Sequence, residues 1–121
     1  MSVFLQISDK DKLYIGEYFF LIRDRYPVAP GHTLIISKTL RSDYFDLTDA
    51  EKQELNEMIS VAKSLVEKEY SPQGYNIGMN CGETAGQTVM HFHCHLIPRY
   101  EGDMDNPRGG IRHCVSGKGY Y

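Results

Sequence analysis

The run His91-Phe92-His93-Cys94-His95-Leu96 alternates histidine with apolar residues, and no other feature constrains the chain as strongly. Successive side chains of a strand point to opposite faces, so this run predicts a strand with three imidazoles on one face. Phe92, Cys94 and Leu96 then share the other face. An apolar strand face needs a cover, and the sequence supplies one. Thr48 followed by Glu51 reads as a helix-opening capping box. Leu55, Met58, Ile59, Ala62, Leu65 and Val66 then recur at helical spacing, and Ser71-Pro72-Gln73-Gly74 ends the helix.

The other elements are shorter. Lys12–Ile15, a Gly16-Glu17 turn and Tyr18–Asp24 read as a hairpin rich in aromatic and branched residues. Pro27 and Pro30 interrupt the chain before a third strand, His32–Ser37. Asp43–Asp46 forms a short turn. Tyr75–Asn80 reads as a strand, residues 82–86 as a glycine-bearing loop, and His91–Ile97 as the last strand, ended by Pro98. Strands, then a helix, then strands predict an α+β domain: an antiparallel five-stranded sheet packed on one long helix and a short one. Residues 1–121 make a single domain, with 101–121 an irregular glycine-rich tail.

Composition bounds the function classes. At 121 residues the chain has room for one core, and 41% hydrophobic residues suit an ordinary globular fold. A formal net charge of -3 without a basic stripe argues against nucleic acid as partner, but not against a small anion in a pocket. No apolar run approaches the roughly 18 residues of a membrane span, and the N-terminus lacks a secretory pattern. Cys81, Cys94 and Cys114 are odd in number and far apart, as expected of reduced thiols in the cytoplasm.

Three aligned imidazoles suit two chemistries. One is a zinc site with an open position, although imidazoles in one line close poorly on a single ion. The other is covalent catalysis, in which a neutral imidazole attacks phosphorus while its neighbours orient it. The segment before the histidines, Asn80–Val89, favours the second. A glycine lets backbone N–H groups approach an anion closely, and Gln87 and Thr88 add side-chain donors, a loop of the kind a phosphoryl group in transfer requires.

Gly86-Gln87-Thr88-Val89-Met90-His91-Phe92-His93-Cys94-His95-Leu96-Ile97 resembles the signature of the histidine triad superfamily. Asp24-Arg25-Tyr26-Pro27-Val28-Ala29-Pro30-Gly31-His32-Thr33-Leu34-Ile35-Ile36 resembles that family's other hallmark block. The segments after Arg99 and around Pro107–Arg112 resemble the tails of microbial dinucleoside polyphosphate hydrolases. The resemblance implies His93 as the nucleophile that forms a nucleotidyl-histidine intermediate on the α-phosphate. His95 would contact phosphate oxygens and assist the leaving group, His91 would orient the nucleophile, and His32 is the family's fourth histidine. Gln87 joins this catalytic set, Asn80, Gly86 and Thr88 match phosphate-contacting positions, and Asp24 matches the carboxylate that receives the ribose. Tyr18, Phe20 and Ile22 are candidates for the base pocket.

The activity so implied is hydrolysis of dinucleoside polyphosphates of the diadenosine tetraphosphate type. The alternatives are an adenosine monophosphate phosphoramidase, a nucleotidyl transferase or phosphorylase, and a non-catalytic nucleotide-binding regulator. The resemblance also implies a homodimer. Some family members carry an N-terminal cysteine pair that binds structural zinc; Ser2-Val3-Phe4-Leu5-Gln6 has none, so neither a structural metal nor a cofactor is expected. A divalent cation can enter with the polyphosphate. Arg108 and Arg112 in the tail either meet that polyphosphate or pair with Glu101, Asp103 and Asp105 at the surface.

Overall fold

The computed structural model of the chain describes residues 2–121. Five antiparallel strands, β1 (Tyr14–Ile15), β2 (Phe19–Arg23), β3 (Thr33–Ser37), β4 (Gly74–Gly78) and β5 (His93–Arg99), form one sheet in the order β1-β2-β3-β5-β4. The helix α1 (Asp49–Glu69) links β3 to β4 across one face. This is the α+β architecture expected from the sequence. The short helical element is a 3₁₀ turn at Tyr44–Asp46, where Asp43 accepts a hydrogen bond from the Phe45 N–H.

Period two sorts the strand residues cleanly. Phe19, Leu21, Ile35, Cys94 and Leu96 face α1 and pack on Leu55, Met58, Ala62 and Val66. Phe20, Ile22, Leu34 and Ile36 lie on the opposite face, where Phe4 and Ile7 of the N-terminal segment cover them. In the β3–β5 ladder Leu34 is paired with His95 and Ile36 with His93. Both histidines therefore stand on the face away from α1, beside the N-terminal segment.

The start of α1 is held twice over. The Glu51 N–H donates to the Thr48 hydroxyl at 3.1 Å, and the Glu51 carboxylate accepts the Thr48 N–H at 2.7 Å. That carboxylate, buried, also receives Arg41 Nε at 3.0 and 3.2 Å. Arg41 lies in the link between β3 and α1, and its carbonyl accepts the Phe92 N–H at the entrance to β5. One carboxylate thus connects the helix start to the strand that carries the histidines.

Two expectations about the last strand need correction. It does not begin at His91 but at His93, because His91 sits in a bend whose ring is drawn sideways by other partners. Nor does Pro98 end it; β5 continues to Arg99, with Tyr75 opposite Pro98. The Arg99 carbonyl accepts the Gln73 N–H, so the missing N–H of Pro98 faces the β3 side, where pairing has already stopped at Leu96. The tail beyond residue 100 is turns and one 3₁₀ segment, Gly110–Cys114, lying against β4.

Candidate active site

Two depressions of similar size mark the surface, and one gathers the histidines. The depression of about 650 Å³ around Arg99, Tyr100 and Gly102 contains no histidine. The other, about 610 Å³, is lined by His32, His93 and His95 together with Asp24, Asn80, Gly86 and Thr88. Seven of the nine residues singled out from the sequence meet there. Gln87 and His91 do not.

The hydrogen-bond network assigns a tautomer to each imidazole. His93 Nδ1 lies 2.9 Å from the His91 carbonyl, which can only accept, so the proton is on Nδ1 and Nε2 keeps its lone pair. At His32 the Val28 N–H donates to Nδ1 at 3.0 Å, which leaves the proton on Nε2. His32 Nε2 then lies 2.9 Å from His95 Nδ1, making His95 Nδ1 the acceptor and His95 Nε2 an N–H donor. Two imidazoles on one strand face thus carry opposite functions: a lone pair on His93 and an N–H on His95.

Burial disfavours the charged form of His95 and of His32. It pushes His95 down to about 4, with the neighbouring His93 and His32 adding to the effect and Asp24 opposing it. Burial also lowers His32 against the pull of Asp24. The 3.4 Å contact of Asp24 Oδ2 with His32 Nε2 is therefore a weak polar contact of a neutral ring and not an ion pair. Asp24, His32 and His95 offer ligand atoms within 4.8 Å of one another, the geometry a cation needs. The 2.9 Å between the two nitrogens is a hydrogen bond, shorter than the roughly 3.3 Å that separates two ligands of tetrahedral zinc, so a cation would have to replace that bond.

The expected role of His91 changes. Its ring is fully buried, with Nε2 donating to the Ser37 carbonyl at 2.7 Å and Nδ1 accepting from the Ser2 hydroxyl at 2.8 Å. It is the backbone carbonyl of His91 that orients His93; the ring pins that backbone to the end of β3. Gln87 also departs from expectation as a phosphate donor. Its amide is 3% exposed, gives both N–H groups to the Ser42 and Val89 carbonyls and accepts the Gly82 N–H at 2.7 Å. No hydrogen is left for a ligand. Gln87 holds the loop shut.

The same loop corrects the glycine argument. The Gly86 N–H is spent on the Glu83 carbonyl and the Gln87 N–H on Gly82. Gly86 instead provides a left-handed turn, φ +97°, and a wall without a side chain, across which Asn80 reaches the cleft. Residues that sequence reasoning missed complete the site. Val3, Phe4, Ile7 and Val28 join Ile22 and Leu34 as an apolar wall, with Phe4 edge-on to both His91 and His93. Tyr18 packs towards α1 and Phe20 lies under Lys12, so of the three proposed base-pocket residues Ile22 alone lines the cleft. Apolar residues at 3, 4 and 7 have helical spacing, but the run is less than two turns long and only the tertiary fold places it over the sheet. Arg25 and Tyr26 also line the cleft. Arg108 and Arg112 do not; both stack on the Tyr121 ring at 4.7 and 4.8 Å, and neither pairs with the tail's acidic residues.

Comparison with known proteins places this geometry among relatives. A model of the HIT domain matches residues 6–102. An AP-4-A phosphorylase of Mycobacterium tuberculosis is 34% identical over 103 residues, which are 83% of this chain and 53% of that protein, so the chain spans about half its length. A bis(5'-adenosyl)-triphosphatase of Dictyostelium discoideum is 33% identical over 100 residues, 83% of this chain and 67% of that protein. The crystal structure of a HIT family protein from Bacillus anthracis is similar at TM-score 0.77 and 37% identity, covering 84% of this chain and 75% of that one.

Proposed function

The chain belongs to the HIT-domain family, and from that premise we propose that it hydrolyses dinucleoside polyphosphates at the α-phosphate through a nucleotidyl adduct on His93. The observation that carries this reading is the opposed pair of tautomers on β5. His93 Nε2 attacks phosphorus with its lone pair while the bond from phosphorus to the bridging oxygen breaks. The imidazolium so formed keeps its Nδ1–H on the His91 carbonyl. His95 Nε2–H donates a hydrogen bond to the departing oxygen. Water then attacks the same phosphorus, the P–N bond breaks, the nucleoside monophosphate leaves and the water's second proton passes to solvent.

This arrangement suits a polyphosphate leaving group better than an amine. A polyphosphate departs as an anion and asks only for hydrogen bonds, whereas an amine must be protonated, and His95, pushed down to about 4, holds no spare proton at neutral pH. The apolar wall of Phe4, Ile7 and Leu34 receives the base, and Asp24 the ribose. Likeness to a phosphorylase supports a second reading in which inorganic phosphate replaces water at the adduct.

The test is His93→Ala against diadenosine tetraphosphate. Turnover is expected to fall by about 10³-fold or more while adenosine monophosphate still binds within a few-fold of the native affinity. Near-native kcat would remove His93 as nucleophile. Adding phosphate to the wild-type reaction separates water from phosphate as acceptor, since the second reading requires a nucleoside diphosphate product.

A further inference from the structure

Of the chain's six arginines, five are engaged elsewhere. Arg23 donates to Thr33 and Glu69, Arg41 to Glu51, and Arg99 to Asp103 and Asn76. Arg108 and Arg112 stack on Tyr121. Arg25 is exposed, makes no ion pair among the described residues, and lines the histidine cleft. It is also the one lysine or arginine in that lining.

Its backbone is held firmly. The Asp24 carboxylate accepts the Tyr26 N–H at 2.9 Å, a turn that sets Arg25 at its corner, and Pro27 and Pro30 stiffen the chain beyond it. The Asp24 N–H donates to the His32 carbonyl, and the Val28 N–H to the His32 ring. The turn that bears Arg25 is therefore bonded to the same histidine that sets the tautomer of His95. Asp24, the nearest acid in sequence, turns its carboxylate towards the Tyr26 N–H and the His32 ring and makes no ion pair with the guanidinium.

We propose that Arg25 forms the leaving-group subsite of this cleft, holding the phosphates beyond the one His93 attacks and so selecting substrates with a charged polyphosphate over those with an uncharged leaving group. The inference rests on the proposed reaction and adds to it the residue that reads the leaving half. The physical need is plain. A polyphosphate brings several negative charges into a cleft where burial disfavours positive charge on His32 and His95 and whose one carboxylate repels it. A guanidinium presents paired N–H donors to phosphate oxygens and stays charged at any working pH.

The experiment compares Arg25→Ala and Arg25→Glu with wild type on diadenosine tetraphosphate and on an adenosine phosphoramidate with a neutral amine. It also compares their Kd for a non-hydrolysable dinucleoside tetraphosphate analogue and for adenosine monophosphate. Arg108→Ala, which removes the same charge outside the cleft, is the control. The ratio of kcat/KM between the two substrates, and the ratio of the two Kd values, should each move against the polyphosphate by about 10- to 100-fold in Arg25→Ala, the range of a lost charge-assisted hydrogen bond. Arg25→Glu should move them further, and Arg108→Ala should leave them in place. Unchanged ratios in folded Arg25 variants, or an equal shift in Arg108→Ala, would overturn the assignment. If wild type binds the analogue but turns over neither substrate, the proposed reaction fails while the binding ratio still decides the role of Arg25.

Discussion

His32, His91 and His95 are all held below the ordinary histidine value, and burial is the largest cause for each. The sign of the consequence comes from proton binding. An unfolded histidine takes its proton around pH 6.5, while the folded rings take it only at lower pH. The stabilisation is therefore complete above pH 6.5 and lost as pH falls through the folded values, about 4 for His95. Between pH 7 and 5 the midpoint of thermal unfolding should drop by roughly 5 °C or more. His95→Gln should flatten that slope, and an unaltered slope in this variant would show that burial of His95 is not its source. Gln87 yields a second residue-scale expectation. Since its amide is consumed by Gly82, Ser42 and Val89, Gln87→Ala should cost about 1–3 kcal/mol of stability by leaving those buried groups unpaired, and should raise KM through a loosened loop. Loss of kcat without loss of stability would return Gln87 to the reacting atoms.

Among the elements, α1 and β5 were legible because each carries a strong period and the two periods fit each other. The Thr48–Glu51 box, the stripe from Leu55 to Val66, and Cys94 and Leu96 beneath it all stand where local rules put them. What could not be read is what depends on a partner distant in sequence. Ser2 reaches His91 across 89 positions, and Gln87 reaches Ser42 across 45. Neither residue differs locally from an ordinary loop residue, so their roles exist only in three dimensions. Glu51 shows both kinds of information at once. Its capping role is written in the four residues 48–51, and its ion pair with Arg41 is not. Glu51→Gln should retain much of the cap and lose the charge pairing. Glu51→Ala should destabilise by about 3–5 kcal/mol, because it also strands a part-buried guanidinium. Equal melting temperatures for the two variants would mean that the pair, not the cap, carries the stability.

At the scale of the whole molecule, the N-terminal segment, the sheet and α1 form three layers, and the site lies between the first two. Both ring nitrogens of His91 are satisfied within the protein, by Ser2 and Ser37, which leaves this layer no need of a metal for its attachment. Exhaustive dialysis against a chelator is expected to shift the melting temperature by less than about 1 °C, and stoichiometric zinc whose removal unfolds the protein would refute this. The middle layer has a further consequence. β5 counts in twos: Cys94 and Leu96 are core on one side, and His93 and His95 face the cleft on the other. Such a strand has parity. Deleting one residue from it would carry Cys94 into the cleft and an imidazole into the core, so fold and reaction fail together. A change of one residue in the turns after Arg99 meets no such rule. A residue gained or lost in the tail exchanges no faces of the sheet, while within β5 only steps of two keep both sides in phase.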